Sequence, residues 1–461
     1  MRTTTEHTDR KCLKAAADEL CAMLQGAQAD LDWRSDCVLR LTIAIDDIDP
    51  ADWLAAQPAA ERVLWDARDG SLTAAGIGAA DLLTAQGTVA ADRVVGRLRR
   101  RLTGTTAGAR YYGGLRFDDR RTPTAHWKPF KSYRFVLPRF ETVRQAGAAI
   151  LAVNIIPSQD KDHLDSIVAG LRHMAVSHPR DSYKVPQIQS RRDNPNRDTW
   201  LTAVREAVRS FQKGDLAKIV LARESRFRFN ELLDPVRLMS LLQTNTPGCF
   251  HFLMQPSNDT AFLSATPERL YRRTGRAVMT EALAGTRPRG ATPEEDEVLG
   301  DKLLNSRKEA REHGYVTDHT RAALDVLCRS ASGDEQPSLV RLSGVQHMIT
   351  RLKGRLRDDI DDHDLLTQLH PTPAIGGYPA DLAQSRLRRL ETFDRGWYAG
   401  PVGWIGVDEA EFAVGIRSGL VHGDTLRLYS GAGIVEGSHP DKEWDEVENK
   451  ISTFLKTVTD R

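Results

Sequence analysis

Residues 429 to 450, YSGAGIVEGSHPDKEWDEVENK, join a glycine-rich segment to the start of an amphipathic helix. The pattern predicts a strand that ends at Tyr429, a turn made by three glycines, and a helix with Pro440 in its first turn. The turn glycines are Gly431, Gly433 and Gly437. Bare backbone N–H groups at such a helix start are suited to holding an anion.

Two stripes run along this predicted helix. The apolar stripe recurs at three- and four-residue spacing and is expected to face the core. Its members are Trp444, Val447, Ile451 and Leu455. Glu443, Glu446 and Lys450 form a neighbouring stripe, which could contribute to a divalent-cation site or simply be a solvated face, because charged pairs at this spacing are common on exposed helices. The stretch alone leaves both alternatives open.

The composition is that of an ordinary globular protein. Lys and Arg number 64 against 63 Asp and Glu, so the net charge gives no reason to expect nucleic acid as a partner. The arginine-rich run 97–101 has no interleaved aromatic residues and is interpreted as an exposed helix face. The five cysteines are scattered without a CxxC pair, which fits a reducing compartment. No segment has the apolar length of a signal peptide or membrane span, so we expect a cytoplasmic protein without a membrane partner.

Short strands interrupted by grouped helices predict an α+β fold with a large, mainly antiparallel β-sheet core, built as two packed sheets and covered by helices. A helix is predicted over 10–30, followed by a meander with few helices. Long helices are predicted over 295–328 and 380–392. The last strands are predicted near 396–406, 411–422 and 425–430.

Residues 177 to 197, SHPRDSYKVPQIQSRRDNPNR, carry three prolines and many charges without periodicity. We interpret this stretch as a long surface connection. It divides the chain into a β-rich N-terminal region, 1–190, and a second region, 191–461. The two regions are expected to pack as one globular unit.

Two charged residues lie in otherwise apolar surroundings. Lys218 begins the apolar run KIVLA, and Glu268 follows Pro267 at the start of a predicted strand. A lysine in such a strand either extends its ammonium group to the surface or is desolvated, in which case it can act as a base. The ordinary alternative for Glu268 is a turn glutamate. Both pairs of alternatives stay open at this point.

A second carboxylate pair, Glu309 and Glu312, lies on a predicted helix with the same spacing as the pair on the last helix. Two such pairs are what a shared Mg²⁺ requires, because Mg²⁺ prefers oxygen ligands and uses few carboxylates beside water and substrate oxygens. His313 and His347 show no i,i+4 pairing of the kind that transition metals favour. The two pairs are therefore compatible with a Mg²⁺ site, and residue type and spacing leave that interpretation open at this point.

Nine segments between residues 218 and 450 resemble, in order, the chorismate-utilising enzymes. This family includes isochorismate synthases, salicylate synthases and the large subunits of anthranilate and aminodeoxychorismate synthases. The segments are KIVLAR (218–223), SATPERL (264–270), TEALAGTRPRG (280–290), KEAREH (308–313), GVQHMIT (344–350), LHPTPAIGGYP (369–379), RGWYAGPVGW (395–404), AVGIRSGLV (413–421) and LYSGAGIVEGSHPDKEWDEVENK (428–450). The first 190 residues resemble the family only loosely.

The resemblance implies the family fold and a reversible, Mg²⁺-dependent conversion of chorismate into isochorismate. In that reaction water adds at C2 of the ring as the C4 hydroxyl leaves. The resemblance implies Lys218 as the general base that activates water and Glu268 as the general acid. The implied Mg²⁺ ligands are Glu312 and Glu446, with Glu309 and Glu443 close by or acting through water.

The resemblance also implies the substrate-binding residues. Tyr398 and Arg417 are expected to hold the pyruvyl carboxylate. The N–H groups of Gly431 and Gly433 are expected to contact the same carboxylate. Lys450 is expected to lie near the ring carboxylate and the metal. Further pocket positions are Gly285, Thr286, His347 and Ala374.

The sequence PTPAIGGYP, 371–379, distinguishes members of the family. Members that add ammonia carry a T-x-S-G-x-P-K type sequence there and usually work with a glutaminase, so no glutaminase partner is expected. Salicylate synthases tend to carry a threonine near Ala374. We therefore expect an isochorismate synthase, acting as a monomer or weak homodimer, whose product enters menaquinone, siderophore or salicylate biosynthesis. The alternatives are a salicylate synthase and a catalytically silent chorismate-binding protein.

Overall fold

The computed structural model describes residues 10–58, 60–85, 91–105, 108–174, 183–212, 214, 216–342 and 344–459. Its α-helices, α1 to α12, are Leu13–Ala27, Pro50–Ala56, Ala91–Leu102, Pro157–Asp160, Leu164–Arg172, Arg197–Phe211, Pro235–Asn245, Pro293–Leu304, Arg307–Leu327, Asp362–Leu369, Ala380–Leu390 and Pro440–Thr459. Among these described helices, none combines the length and apolar character needed to cross a membrane.

The strands form the core of the molecule. In chain order, β1 to β20 are Leu39–Ile45, Arg62–Asp66, Leu72–Ala85, Arg110–Leu115, Tyr133–Gln145, Ala148–Ile155, Ile188–Asn194, Lys218–Phe229, Phe250–Ser257, Thr260–Thr266, Arg269–Thr274, Ala277–Pro288, Cys328–Gly333, Ser338–Arg341, Val345–Leu356, Gly377–Tyr378, Pro401–Gly406, Glu409–Val414, Ser418–His422 and Thr425–Val435. The predicted α+β class with mainly antiparallel pairing is confirmed.

Hydrogen bonds link these strands into one continuous network. One arm runs β1, β6, β5, β3, β2, β9, β10, β19, β20, β8 and β7. A second arm leaves β5 through β4, β17, β18, β11, β12 and β15. The arms join because β5 pairs with β3 along its whole length and with both β4 and β6 along its other edge.

The first part of the chain is not the helix-poor meander that was predicted. Five of the described helices, α1 to α5, precede β7, and β1 pairs with β6 instead of its sequence neighbour. Helix α3 contains the arginine run that was interpreted as an exposed helix face, and its other side is a buried stripe that includes Val94, Leu98 and Leu102. The arginine run itself is largely exposed, as expected, and Arg99 lies 3.4 Å from Asp361.

The predicted surface connection at 177–197 is wrong for residues 188–194, which form β7. This strand pairs with β8 although its side chains are almost all exposed, so backbone hydrogen bonding at a sheet edge holds it without hydrophobic alternation. Residues 177–182 lie outside the described residues. The proposed division at residue 190 falls inside β7, and β2 and β4 pair with strands of the second region.

Two predicted elements are each divided in the structure. The helix expected over 295–328 is α8 and α9, and Ser306 begins α9 by accepting a hydrogen bond from the Glu309 N–H at 3.4 Å. The strand expected over 411–422 is β18 and β19. Between them Arg417 has a φ of 45°, a left-handed conformation that is uncommon for a residue with a side chain. Both divisions occur beside predicted site residues.

Two of the three glycines predicted to form a turn, Gly431 and Gly433, lie in a strand instead. Strand β20 continues to Val435, and within it Gly431 pairs with Ala222 and Gly433 with Val220 on β8. The turn lies further on, where Gly437 has a φ of 85°. Paired neighbours on β8 thus keep the glycines extended, and helix α12 then begins at Pro440 as expected.

Helix α12 is attached to β8 by a buried arginine. The guanidinium of Arg223 lies 4.0 Å from the ring centroid of Trp444 and donates a hydrogen bond of 2.6 Å to Glu448. Stacking over an indole stabilises a desolvated guanidinium. This contact fixes the helix that carries Glu443 and Glu446.

We expect Trp444→Ala to lower the free energy of unfolding by about 2–3 kcal/mol, because it removes a partly buried ring and uncovers Arg223. Chemical denaturation measures the change. Trp444→Phe is the matched control and should retain most of the stability. Equal stability of the alanine variant and the unchanged protein would contradict the role assigned to this contact.

Candidate active site

A buried ion pair joins β8 to α9. The side chain of Lys218 is 0% exposed, and its ammonium donates a hydrogen bond of 2.7 Å to Glu312 Oε1. Lys218 therefore lies in the interior and does not extend to the surface. A Cβ at Gly433 would lie 2.9 Å from Glu312 Oε1 and 3.0 Å from Lys218 Cε. Because Gly433 has no side chain, Lys218 and Glu312 can occupy this space.

Carboxylates from α9 and α12 face each other beside this pair. Burial, reinforced by the charge of Glu312, raises the pKa of Glu309. Burial also raises the pKa of Glu443, and the charges of Glu446 and Glu312 act in the same direction. The four side chains thus concentrate negative charge between the two helices.

Two lysines offset part of that charge. Burial alone would raise the pKa of Glu312, but the Lys218 ammonium outweighs it and lowers that pKa. Lys450 donates hydrogen bonds to Glu446 Oε1 at 2.7 Å and to the Gly431 carbonyl at 3.0 Å. Lys450 therefore ties α12 to the open edge of β20.

The donor set fits Mg²⁺. Among the residues that the structure describes, no group of three or more His, Cys, Asp or Glu side chains is arranged to bind a metal ion by itself. Mg²⁺ does not require one, since it commonly keeps several waters and takes one or two carboxylates together with substrate oxygens. A divalent cation would relieve the repulsion between carboxylates that, in addition to burial, raises the pKa values of Glu309 and Glu443.

Glu268 lies directly before β11 and is 4% exposed. Burial raises its pKa to about 8, and the nearby Glu281 carboxylate acts in the same direction. Lys218, Arg417 and the Thr372 hydroxyl oppose this shift without cancelling it. The group therefore holds its proton at neutral pH, as a general acid must.

A neutral histidine orients Arg417. The Arg417 guanidinium donates a hydrogen bond of 2.8 Å to His347 Nε2, and His347 Nδ1 lies 2.9 Å from the Thr286 hydroxyl. Burial, together with Arg417 and Lys450, lowers the pKa of His347 to about 3. Because Nε2 accepts from an arginine, the ring proton resides on Nδ1 and is directed at Thr286.

The remaining predicted residues line the space between these groups. Tyr398 is buried and stacks on Tyr429, with ring centroids 5.6 Å apart. Its hydroxyl would lie 3.1 Å from a Cβ placed at Gly431. Gly285 has a φ of 78°, and a Cβ there would lie 3.2 Å from Glu309 Oε2. Side chains at either glycine would narrow the site.

Ala374 is less closely connected to this site. It packs against the hydrophobic core, and within the described part of the chain no hydrogen bond joins it to another predicted site residue. Its neighbour Ile375 accepts a hydrogen bond of 2.9 Å from Arg395, which also donates one of 2.6 Å to the Val220 carbonyl. The structure brings the other predicted residues together, and the roles of all of them stay predictions.

The sequence reasoning missed several residues of the site. Glu281 and Thr372 lie close enough to Glu268 to influence its pKa, and Cys249 contacts Arg417. Glu281 and Thr372 lie inside the recognised motifs, so those motifs could have indicated them. Cys249 lies outside the motifs and gave no signal.

A separate, small cavity of about 10 Å³ is lined mainly by charged residues. Its charged lining residues pair with each other, including Arg388 with Asp118 and Arg395 with Glu391. None of the predicted catalytic residues lines it. The cavity is therefore not the candidate active site.

Comparison with known families identifies the fold and the site together. The sequence profile described as "Chorismate binding enzyme" matches residues 24–459. The chain belongs to the chorismate-binding enzyme family. The match begins far before Lys218, so the N-terminal region, which resembles the family only loosely by motif, is part of the same family architecture.

Individual members of the chorismate-binding family are similar over most of the chain. Isochorismate synthase 2 of Arabidopsis thaliana chloroplasts is 36% identical, over 78% of this chain and 66% of that protein. The isochorismate synthase MenF of Escherichia coli is 31% identical, over 88% of this chain and 90% of that protein. The salicylate biosynthesis isochorismate synthase of Pseudomonas aeruginosa is 33% identical, over 76% of this chain and 74% of that protein.

A solved structure of the menaquinone-specific isochorismate synthase MenF from Escherichia coli has the same fold. The TM-score is 0.84 at 28% identity, over 97% of this chain and 99% of that chain. The fold class predicted from the motifs is confirmed by this likeness.

Proposed function

We propose that this protein is an isochorismate synthase that converts chorismate reversibly into isochorismate with Mg²⁺. The observation that carries the proposal is that a buried lysine, Lys218, and a buried glutamate, Glu268, lie in one site, close enough for the lysine to influence the pKa of the glutamate. The names of three similar family members agree with this activity.

The chemistry needs a proton acceptor and a proton donor at different ring carbons. Lys218, as the neutral amine, takes a proton from water while the water oxygen bonds to C2. The ring double bonds shift, the C4–O bond breaks, and Glu268 gives its proton to the departing hydroxyl, which leaves as water. In this structure Lys218 donates a hydrogen bond to Glu312. A neutral amine has two N–H groups and one lone pair, so Lys218 can keep this hydrogen bond while its lone pair accepts the proton from water.

Substrate orientation is assigned to the groups around the two catalytic residues. Arg417, held by His347, and the buried Tyr398 are suited to the pyruvyl carboxylate. Glu312 and Glu446 are the proposed Mg²⁺ ligands, with Glu309 and Glu443 nearby. Bound Mg²⁺ would supply positive charge for the ring carboxylate.

The rival activities have less support. A salicylate synthase would also expel pyruvate, and alanine at position 374 does not favour it. An ammonia-adding enzyme would require a nitrogen source, and we propose that this chain acts without a glutaminase subunit. We further propose a cytoplasmic monomer or weak homodimer. The names of the relatives include both menaquinone and salicylate biosynthesis, so the proposal ends at isochorismate.

Incubation of the purified protein with chorismate and Mg²⁺ tests the proposal. Chromatography should show isochorismate and no salicylate, pyruvate or aminated product, whether or not ammonium is present. A salicylate synthase would release salicylate and pyruvate without a second enzyme. Binding of chorismate with no conversion would instead indicate a silent binding protein.

We expect Glu446→Gln to weaken Mg²⁺ binding by about 100-fold, because it removes a charged ligand from a small donor set. Calorimetric titration with Mg²⁺ measures this directly. Asp445→Asn is the matched control, an exposed carboxylate one residue away on α12, and should leave the affinity unchanged. Equal Mg²⁺ affinity in both variants would contradict the ligand assignment.

The pH dependence follows from Glu268. An acid catalyst works only while protonated, and the pKa of Glu268 is raised to about 8. We therefore expect kcat/KM to fall as the pH rises through about 8, by about tenfold per unit above it. A pH–rate profile at constant ionic strength measures the fall, and circular dichroism at each pH shows that the protein stays folded. A profile that stays level up to about pH 10 would exclude Glu268 as the acid.

A further inference from the structure

An arginine from the N-terminal region reaches the segment that carries Glu268. Arg68 lies in the turn between β2 and β3, and its guanidinium donates a hydrogen bond of 2.5 Å to the Pro267 carbonyl. Its second terminal nitrogen donates to Glu281 Oε1. The guanidinium also lies 5.2 Å from the ring centroid of Phe250. Arg68 thus contacts the residue directly before Glu268 and a carboxylate beside it.

Glu281 is a buried carboxylate, and one of its two oxygens accepts no hydrogen bond from the described residues. Its side chain is 1% exposed, and Oε1 accepts from Arg68 and, at 2.9 Å, from Arg269. Oε2 is buried and has no hydrogen-bond partner among the described residues. An unpaired buried carboxylate oxygen is costly, so its retention beside Glu268 calls for a functional reason.

Other charged and polar groups also face Glu268. Lys218 on β8, Arg417 after β18 and the Thr372 hydroxyl favour its ionised form. Tyr398 is close enough for the Glu268 charge to influence its own pKa. Glu281 on β12 is the group among them that opposes ionisation. A change in the charge of Glu281 should therefore shift the pKa of Glu268.

We propose that Arg68 is a positioning residue for Glu268 and acts through the Pro267 carbonyl and the Glu281 carboxylate. The proposal rests on the proposed function, in which Glu268 is the acid. It gives the N-terminal region an indirect part in catalysis. Arg68 touches no reacting atom, so its effect depends entirely on those two contacts.

The arrangement predicts shifts of opposite sign. Arg68→Met removes a positive charge from Glu281 and leaves more negative charge near Glu268, so Glu268 should titrate at higher pH. Glu281→Gln removes the negative charge itself, so Glu268 should titrate at lower pH. A single charge within 4–6 Å changes a carboxyl pKa by about 1–3 units, and the first effect is smaller because it is indirect. General loosening of the fold would not produce opposite shifts.

The test compares four variants in the full-length protein. Arg68→Met should move the basic limb of the pH profile of kcat/KM to higher pH. Glu281→Gln should move it to lower pH. Arg68→Met should also lower kcat by about tenfold or more with little change in KM, since substrate contacts are untouched. Arg68→Lys should restore part of that loss, because an ammonium can reach one of the two partners. Arg272→Met is the control: Arg272 lies 3.6 Å from Asp69 in the same turn and should leave kcat unchanged.

Infrared difference spectra provide a readout that does not require turnover. The carboxyl signal of Glu268 is assigned by its loss in Glu268→Gln, and its titration is followed in each variant. Opposite shifts in this titration support the proposal even if the protein makes another product, so failure of the proposed function is recognised separately. Unchanged kcat and unchanged Glu268 titration in Arg68→Met would overturn it, as would shifts of the same sign in both variants.

Discussion

Replacement of Lys218 by methionine should lower kcat by about 10²- to 10⁴-fold, the usual contribution of a positioned proton-transfer group. Methionine has a similar length and fits the apolar surroundings, so a loss of activity can be attributed to the missing amine. Chorismate should still bind, because the groups proposed to hold its carboxylates are unchanged. Single-turnover rates and equilibrium binding of chorismate measure the two effects separately.

The ion pair requires its own control, because methionine leaves Glu312 without the partner that lies 2.7 Å away. The double variant Lys218→Met/Glu312→Gln removes that unpaired charge and should regain stability without regaining turnover. Turnover of the single variant equal to that of the unchanged protein would refute the base assignment.

Glu268→Gln should give a loss of similar size, about 10²- to 10⁴-fold in kcat. Glutamine keeps the shape of the side chain but has no proton to give to the departing C4 hydroxyl. The small residual rate should no longer fall as the pH rises through about 8, because the group whose pKa is raised to that value is gone. The pH–rate profile of the variant checks this.

Thr372 offers a matched comparison for that variant. Its hydroxyl faces Glu268 but donates no proton in the proposed reaction. Thr372→Val should therefore lower kcat far less than Glu268→Gln and should retain the basic limb. Equal losses in both variants, or a basic limb that survives in Glu268→Gln, would show that another group is the acid.

The sequence indicated much of the site because its chemistry lies in short motifs. Lys218 and the Glu309/Glu312 pair were candidates by residue type and spacing, and the resemblance to the chorismate-utilising enzymes implied their roles. The structure places Lys218 against Glu312. Gly431 and Gly433 were misplaced in a turn, because local glycine content does not reveal pairing with a distant strand. Their extended conformation depends on β8, more than two hundred residues earlier in the chain.

Long-range contacts account for the rest of what sequence reasoning did not foresee. Arg68 lies far from Pro267 and Glu281 in the chain, and no local pattern marks a residue that acts across such a separation. Strand β7 was missed for a related reason, since its polar residues are held by backbone pairing with β8 and show no hydrophobic alternation. The fold class depends on repeated strand patterns and was predictable.

The most direct test of the central claim is the origin of the new hydroxyl oxygen. The protein is incubated with chorismate and Mg²⁺ in H₂¹⁸O, and the product is analysed by mass spectrometry. Water addition at C2 with loss of the C4 hydroxyl predicts isochorismate that carries one ¹⁸O in its ring hydroxyl. Unlabelled isochorismate, or no isochorismate at all, would contradict the account.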